Sequence, residues 1–322
     1  MENKSVVVQM PSSPNNEGRS LIQNNKKWTS IFNRNSEWRG KIWIYGSAIF
    51  VILSVIAITL FLTVQGLRSF VVDHINVIDF ITGTEWYPDR AENPSYGALP
   101  FIFGSLMVTI LAAMLAAPFA IGSALFMTEL APKWGQKVLQ PVIEILVGIP
   151  SVVYGFIGLS VIVPFMRDHV GGSGFSLLSG ALVVGVMILP TITSISADAV
   201  RAVSNDLRSA SYALGATKWQ TIYRVILPAA KSTLITAIVL GMARAFGEAL
   251  AVQMVIGNAR NLPNAISDPS ATLTTIITLS MGHSTAGSVL NDVLWSLGLI
   301  LLIISYGFIL LIRFISRRGQ VS

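Results

Sequence analysis

The sequence predicts an all-α integral membrane protein with six transmembrane helices and one cytoplasmic helix–glycine–helix segment. Of its 322 residues, 52% are hydrophobic and only 12% are charged, a composition that soluble domains do not show. Six apolar stretches are each long enough to cross about 30 Å of hydrocarbon. A single polar stretch, Ser204 to Pro228, stands between the fourth and the fifth of them. We call this stretch the elbow.

The chain begins with a polar segment, residues 1–41, that carries seven Lys or Arg against three Glu. This composition predicts a disordered basic cytoplasmic tail held near anionic lipid head groups. A membrane domain, 42–315, follows, and residues 316–322 form a short cytoplasmic C-terminal tail. The predicted spans are 42–64, 102–127, 142–166, 177–197, 232–256 and 294–314.

The positive charges between the spans are distributed unevenly. Segments on the side of the N-terminus hold sixteen Lys or Arg, the opposite segments hold four, and Arg244 and Arg313 lie within spans. The chain is thus predicted to lie in the cell membrane. By the positive-inside rule, both termini and the elbow are predicted to lie on its cytoplasmic side.

Two segments are predicted on the outer side. Segment 65–101 carries five acidic residues against two arginines, so it is too polar for the bilayer. It forms either a folded cap over the span ends or a contact for an extracytoplasmic partner. The apolar centre of segment 259–291 is too short to span, which predicts a re-entrant or surface helix.

Several function classes are disfavoured by what the sequence lacks. It has no cysteine, and its three histidines are isolated, so no metal site is expected. No G-x-x-x-x-G-K-[ST] motif occurs, so ATP is not expected to bind here in the P-loop manner. The sequence contains no nucleophile and base at a spacing that would predict an enzyme. The net charge of +6 lies beside the spans, which indicates membrane orientation rather than nucleic-acid binding.

The elbow contains local signals for two helices. Ser204 is suited to cap the first, with Asp206 in its first turn. Gly215 ends that helix, because glycine reaches the left-handed conformation cheaply. Thr217 and Gln220 have the spacing of a capping box that starts the second helix, and Pro228 is expected to close the unit.

This pattern resembles the coupling loop of ABC-type importer permeases, which reads Glu-Ala-Ala, three residues, Gly, nine residues, Ile, one residue, Leu-Pro. The corresponding residues here are Ser209, Ala210, Ser211, Gly215, Val225, Leu227 and Pro228. The acidic residue of the family pattern is absent, which removes the basis for an ion pair from position 209 to an ATPase subunit. The resemblance implies that Ser209, Ala210, Gly215, Thr217, Leu227 and Pro228 couple this chain to an ATPase.

Two further stretches resemble the phosphate-specific branch of these permeases. They are Gly148-Ile-Pro-Ser151-Val-Val-Tyr154-Gly155 and Ala243-Arg244-Ala-Phe-Gly247-Glu248, and the second is more similar to PstC-type than to PstA-type subunits. The resemblance implies a homologous second permease subunit (PstA-like), two ATPase subunits (PstB-like) and an extracytoplasmic phosphate-binding protein (PstS-like). ATP with Mg²⁺ would then bind the partner ATPase, and no cofactor is expected on this chain.

The fifth predicted span carries two charges, Arg244 and Glu248. An Arg there is costly, by about 2.5–3.5 kcal/mol on insertion scales. Residues four apart share a helix face and can pair. Arg244 either provides a transient oxyanion site that Glu248 neutralises when empty, or the two form a permanent structural ion pair.

Ser151 and Tyr154 follow the kink expected at Pro150. Their hydroxyl groups either assist an anion or satisfy backbone carbonyl groups that the kink frees. Glu144 is expected to be an interfacial carboxylate. The predicted pathway set is Arg244, Glu248, Ser151 and Tyr154.

Together these features predict a permease subunit of an ATP-driven importer that moves inorganic phosphate inward by alternating access. Two alternatives stay open. One is a permease for another oxyanion, such as sulfate or molybdate. The other is an ion-coupled secondary transporter, which would leave the elbow unexplained.

Overall fold

The computed structural model describes residues 16–88, 90 and 92–319. Side chains are described for residues 38, 40–88, 90, 92–131, 133–135 and 137–315. The chain divides into two units. One extends to Leu60 and contains the N-terminal part of helix α1 (Asn16–Val71); the other begins at Phe61 and contains the remaining elements.

Helix α1 begins earlier than the sequence predicts. It includes residues 16–41, where we expected a disordered tail, while residues 1–15 lie outside the described part of the chain. No proline occurs between Pro14 and Pro88. A helix that is nucleated in an apolar span can therefore propagate toward the N-terminus at little further cost.

Within the described residues, six helical segments are long and apolar enough to cross a membrane, which confirms the predicted fold class. They are Gly40–Val71, Leu99–Leu130, Ser151–His169, Leu177–Arg201, Lys218–Phe246 and Val289–Ile315. The sixth belongs to helix α14 (Val289–Gly319). Part of the predicted C-terminal tail is thus helical, and residues 320–322 lie outside the described residues.

A small folded region joins α1 to α3 (Leu99–Leu125). It consists of α2 (Val77–Thr82) and an antiparallel pair of strands, β1 (Trp86–Tyr87) and β2 (Ser95–Tyr96). The side chains of Phe80 and Trp86 are 1% exposed, and the Trp86 ring packs edge-on against Phe101 of α3. Segment 65–101 therefore forms a folded cap on the span ends.

The centre of the bundle is the contact between α3 and α8 (Leu177–Arg201). Its small side chains include Ala112, Ala116 and Ala120, which are at most 3% exposed. A Cβ atom on Gly185 would lie 3.4 Å from the carbonyl oxygen of Ala112. Because small residues allow the two backbones to approach, these helices pack closely without large side chains between them.

The third predicted span is broken rather than kinked. Helix α5 (Gln140–Gly148) ends before Ile149 and Pro150, both of which are extended, and α6 (Ser151–Ile157) begins after them. Proline removes a backbone donor and clashes with the preceding turn, which explains the break. A π-helical turn, Gly158–Ile162, and α7 (Val163–His169) complete the span.

The fifth predicted span, 232–256, is also broken. Helix α11 (Leu227–Phe246) ends before Gly247, and the short α12 (Leu250–Gln253) begins three residues later. The next segment contains α13 (Leu273–Met281), a nine-residue helix whose first residues are buried.

The remaining short elements connect the spans. A π-helical turn, Phe126–Leu130, extends α3, and it is followed by α4 (Pro132–Trp134) and a second π-helical turn, Gly135–Leu139. The elbow contains α9 (Asn205–Ala213), α10 (Lys218–Thr221) and a π-helical turn, Ile222–Ile226.

Candidate functional site

The local signals of the elbow are confirmed. The Ser204 side chain accepts a hydrogen bond from the backbone N–H of Asp206 and caps α9. Gly215 has a φ of +79°, in the left-handed region that favours glycine. Thr217 and Gln220 form a complete capping box at the start of α10, with bonds of 3.3 and 2.8 Å.

The expectation that Pro228 closes the elbow is wrong. The helix that begins at Lys218 continues to Phe246, with Leu227 and Pro228 inside it. The N–H of Leu227 bonds the carbonyl oxygen of Ile222 in a π-helical turn just before the proline. Proline is tolerated in the first turn of a helical segment, so α10 passes into α11 as one continuous helix.

One face of the elbow is exposed and apolar. Ser209 and Ala210, the positions of the family motif, lie exposed on α9. Large apolar side chains around them are also exposed, with fractions of 47% for Leu207, 89% for Leu214 and 65% for Trp219. A cleft of about 280 Å³ lies between the two elbow helices. Large exposed apolar side chains grouped on a polar loop are typical of a protein-binding surface.

The opposite face of the elbow is fastened to the bundle. Ser211 and Thr221, which are 8% and 0% exposed, share a hydroxyl–hydroxyl bond of 2.9 Å that joins α9 to α10. Ile222 and Ile226 are at most 1% exposed and hold the second elbow helix against the bundle.

Sequence reasoning missed a largely buried ion pair between the elbow and the end of the second span. Arg208 Nη2 lies 2.9 Å from Glu129 Oε1, and the two side chains are 15% and 10% exposed. A signal was available, because Glu129 is the only carboxylate between Glu92 and Glu144 and it ends an apolar span. Its partner, 79 residues away, has no local signal.

The second part of the site is Arg244, in the last turn of α11. Its guanidinium donates a hydrogen bond to the hydroxyl of Thr191 on α8. A cation in the last turn of a helix is favoured by the helix dipole. The fourth and fifth spans thus meet at one half-buried guanidinium.

Arg244 and Glu248 do not form the pair that their spacing predicts. Within the described side chains, no ion pair within 4.0 Å joins Arg244 to any carboxylate. The helix ends at Phe246, so the two residues do not share a helix face. Glu248 instead accepts the backbone N–H of Ala251 at 3.1 Å, and its carbonyl oxygen accepts the hydroxyl of Thr274.

The hydroxyl groups after Pro150 have different surroundings. The Tyr154 hydroxyl donates to the carbonyl oxygen of Leu146 at 2.8 Å, across the break between α5 and α6. It thereby satisfies a carbonyl group that the break frees. Ser151 is half-buried at the start of α6. Glu144 is exposed and accepts a bond from Gln140 at 3.1 Å, as an interfacial carboxylate would.

Among the described residues, no group of three or more His, Cys, Asp or Glu side chains is arranged to hold a metal ion. What the arrangement offers chemically is one cation with free donor positions. A guanidinium has five N–H donors in a planar fork that suits oxyanions.

Comparisons with known proteins agree with this architecture. A family model described as "Binding-protein-dependent transport system inner membrane component" matches residues 116–319. The chain is 61% identical to the probable ABC transporter permease protein YqgH of Bacillus subtilis (strain 168) over 286 residues, which cover 88% of this chain and 92% of that protein. It is 32% identical to the phosphate transport system permease protein PstC of Xylella fastidiosa (strain 9a5c) over 293 residues, which cover 85% and 88% of the two chains.

A chain in the crystal structure of a bacterial alginate ABC transporter, in complex with an alginate pentasaccharide-bound periplasmic protein, is similar with a TM-score of 0.58. The match covers 88% of this chain and 96% of that chain at 16% identity. At that identity the similarity shows the fold alone.

Proposed function

The chain belongs to the family of binding-protein-dependent transport system inner membrane components, and we propose that it conducts inorganic phosphate inward as one permease subunit of an ATP-driven importer. Family membership makes it a membrane permease subunit of an ABC importer, with ATP hydrolysis in a partner chain. The choice of phosphate is supported by relatives named as phosphate permeases and by the span sequences around Tyr154 and Arg244.

The observation that carries this proposal is the Arg244 guanidinium inside a span without a carboxylate within 4.0 Å among the described side chains. The absence of a permanent ion pair among the described side chains supports a transient anion site over a structural role. The guanidinium keeps donor positions beyond its bond to Thr191, because it has five N–H donors. It therefore suits transient binding of a doubly charged, tetrahedral oxyanion.

The elbow supports the partner assignment. Its exposed apolar face, including Leu214 and Trp219, fits docking by a partner ATPase that binds ATP with Mg²⁺. By the same resemblance we propose two such ATPases, a homologous second permease chain and an extracytoplasmic phosphate-binding protein. In this proposed arrangement the elbow and both termini would lie in the cytoplasm, as the distribution of Lys and Arg predicts.

A transport assay tests the substrate. The purified complex in liposomes should take up radiolabelled phosphate only when ATP is present on the side of the membrane where the ATPase subunits lie. Excess sulfate or molybdate should not compete with phosphate. Arg244→Gln removes a charge-assisted interaction of about 1.5–3 kcal/mol, so we expect uptake to fall about 10- to 150-fold. Arg313→Gln, an exposed arginine of α14, is the matched control and should leave uptake unchanged.

Full uptake by an intact Arg244→Gln complex would refute the pathway role. Efficient competition by sulfate or molybdate would instead shift the substrate to another oxyanion.

A purification tests the class of transporter. Gentle affinity purification of this chain from its native membrane should recover an ATPase and a second six-span chain. A chain that purifies alone and transports on an ion gradient would be a secondary transporter, and the elbow would then need another explanation.

A further inference from the structure

The guanidinium of Arg208 joins three elements at the elbow end of the bundle. It is carried by α9 and binds Glu129, in the π-helical turn that ends the second span, at 2.9 Å from Nη2 and 3.3 Å from Nε. Nη2 also donates to the carbonyl oxygen of Val200 at 2.8 Å, and Nη1 donates to that of Val203. The Val200 carbonyl group lies in the last turn of α8, and that of Val203 lies two residues after the helix ends. A cation is favoured at this end by the helix dipole.

Stability alone is a weak reason for this arrangement. Desolvating an Arg and a Glu is expensive, and a well-packed apolar pair of similar volume is often as stable as a buried ion pair. An apolar pair lacks the directional hydrogen bonds that an Arg–Glu pair makes. The planar fork of Arg208 fixes both the distance and the angle between α9 and the two span ends that it contacts.

The elements that Arg208 joins lead to the Arg244 site. Helix α8 has the Val200 carbonyl group in its last turn and also carries Thr191, the hydrogen-bond partner of Arg244. The other elbow joint, between Ser211 and Thr221, leads through the continuous helix Lys218–Phe246 to Arg244 itself. One helix therefore connects the Arg208 joint to Thr191, and another connects the Ser211–Thr221 joint to Arg244. Thr191 and Arg244 are the two partners of one hydrogen bond.

We propose that Arg208 and Glu129 are positioning residues that pass movement of the elbow to the second and fourth spans, and so couple ATP hydrolysis to opening of the Arg244 site. This inference rests on the proposed function. If the contact between Arg208 and Glu129 is broken while the complex stays assembled, the partner ATPase keeps hydrolysing ATP. The amount of phosphate transported per ATP hydrolysed then falls.

The test measures the ratio of phosphate transported to ATP hydrolysed by the complex in liposomes, with radiolabelled inorganic phosphate as the probe. Arg208→Met leaves Glu129 buried without its partner, so both the thermal stability and the ratio should fall. The double variant Arg208→Met/Glu129→Met removes both charges and should recover stability. We expect its ratio to stay low, by about fivefold or more, because the apolar pair has no direction.

Recovery of the ratio together with the stability would overturn the proposal, since a purely structural pair predicts that result. Arg201→Met is the matched control at the same helix end. Arg201 pairs with Asp198 at 3.3 Å and donates to Gln140 at 3.4 Å, but its side chain and that of Asp198 are 38% and 72% exposed, so these contacts contribute little. This variant should change neither quantity.

A conservative variant covers the case in which the double variant does not assemble. Arg208→Lys keeps the charge beside Glu129 but cannot bind the carboxylate and the carbonyl groups together. The complex should assemble, with a lowered ratio. An unchanged ratio would overturn the proposal.

A spectroscopic measurement separates failure of this inference from failure of the proposed function. The chain has no cysteine, so spin labels can be placed at Asp206 on α9 and at the exposed Phe119 on α3. Without nucleotide or substrate, the unaltered chain should give a narrow distance distribution and Arg208→Lys a broader one. Equal widths would reject the joint even if phosphate uptake is confirmed. A broadened width without any phosphate uptake by the unaltered complex would reject only the proposed substrate.

Discussion

Replacing Gly155 by alanine should force α6 away from α12 and disturb the break that holds Glu248. A Cβ atom on Gly155 would lie 2.8 Å from the sulfur of Met254 and 2.9 Å from the Cα of Ala251. Non-bonded carbon atoms do not approach so closely without a shift of one partner. The Met254 side chain can rotate, but Ala251 is fully buried and its Cα belongs to the backbone. The two helices must therefore separate.

The expected magnitude follows from two opposing effects. Overpacking a well-packed contact costs about 1–3 kcal/mol. Replacing glycine by alanine inside a helix returns about 0.5–1 kcal/mol. The net loss of unfolding free energy should be about 0–2.5 kcal/mol, with a central value of about 1 kcal/mol. Uptake should fall as well, because α12 begins two residues after Glu248.

The assay is thermal unfolding in detergent, followed by tryptophan fluorescence, beside transport in liposomes. Gly307→Ala is the matched control, since nothing lies within 4 Å of a Cβ atom at this position in α14. It should leave the unfolding midpoint unchanged or slightly raised. If Gly155→Ala were more stable than the unaltered protein, the close contact between α6 and α12 would be refuted.

Three further predictions concern the ends of the bundle. Burial, and then the charge of Asp292, raise the pKa of Asp73 above its ordinary value of 3.8, so its ionisation costs stability as pH rises through the folded-state pKa. Asp73→Asn should raise the unfolding midpoint at neutral pH and lose this advantage below the ordinary pKa; an advantage independent of pH would contradict the assigned cause. Gly215→Val forces a branched residue to a φ of +79° and should cost about 1–2 kcal/mol, whereas Gly215→Asn should cost less, as limited proteolysis of the elbow would report. Thr217→Ala removes the cap of α10 and should cost about 1 kcal/mol, seen as faster amide exchange in the elbow; unchanged exchange would show that the cap is dispensable.

The features predicted correctly share one property, which is that their causes are local. A cap at Ser204, a left-handed Gly215 and a box from Thr217 to Gln220 each depend on residues within a few positions of one another. Hydrophobicity over some twenty residues likewise decides whether a stretch can cross a membrane. Such signals can be read without knowledge of the neighbouring helices.

The wrong expectations each assumed a regular helix where tertiary packing imposed something else. Pro228 was expected to end a helix, but a π-helical turn before it lets the helix continue. Arg244 and Glu248 were expected to share a face, but the helix ends between them at Gly247. A spacing of four residues predicts contact only while the helix is continuous.

By itself, therefore, the sequence determined the six-span fold, the elbow with its caps, and the presence of an arginine within the fifth span. Only the tertiary structure decided which groups meet that arginine and how the elbow is fastened. Thr191 and Arg244 are 53 residues apart, and Glu129 and Arg208 are 79 apart. Contacts of that kind depend on which helices pack together and at what rotation. Small residues such as Ala112 and Gly185 allow close packing, but their sequence does not indicate which helix will pack against them.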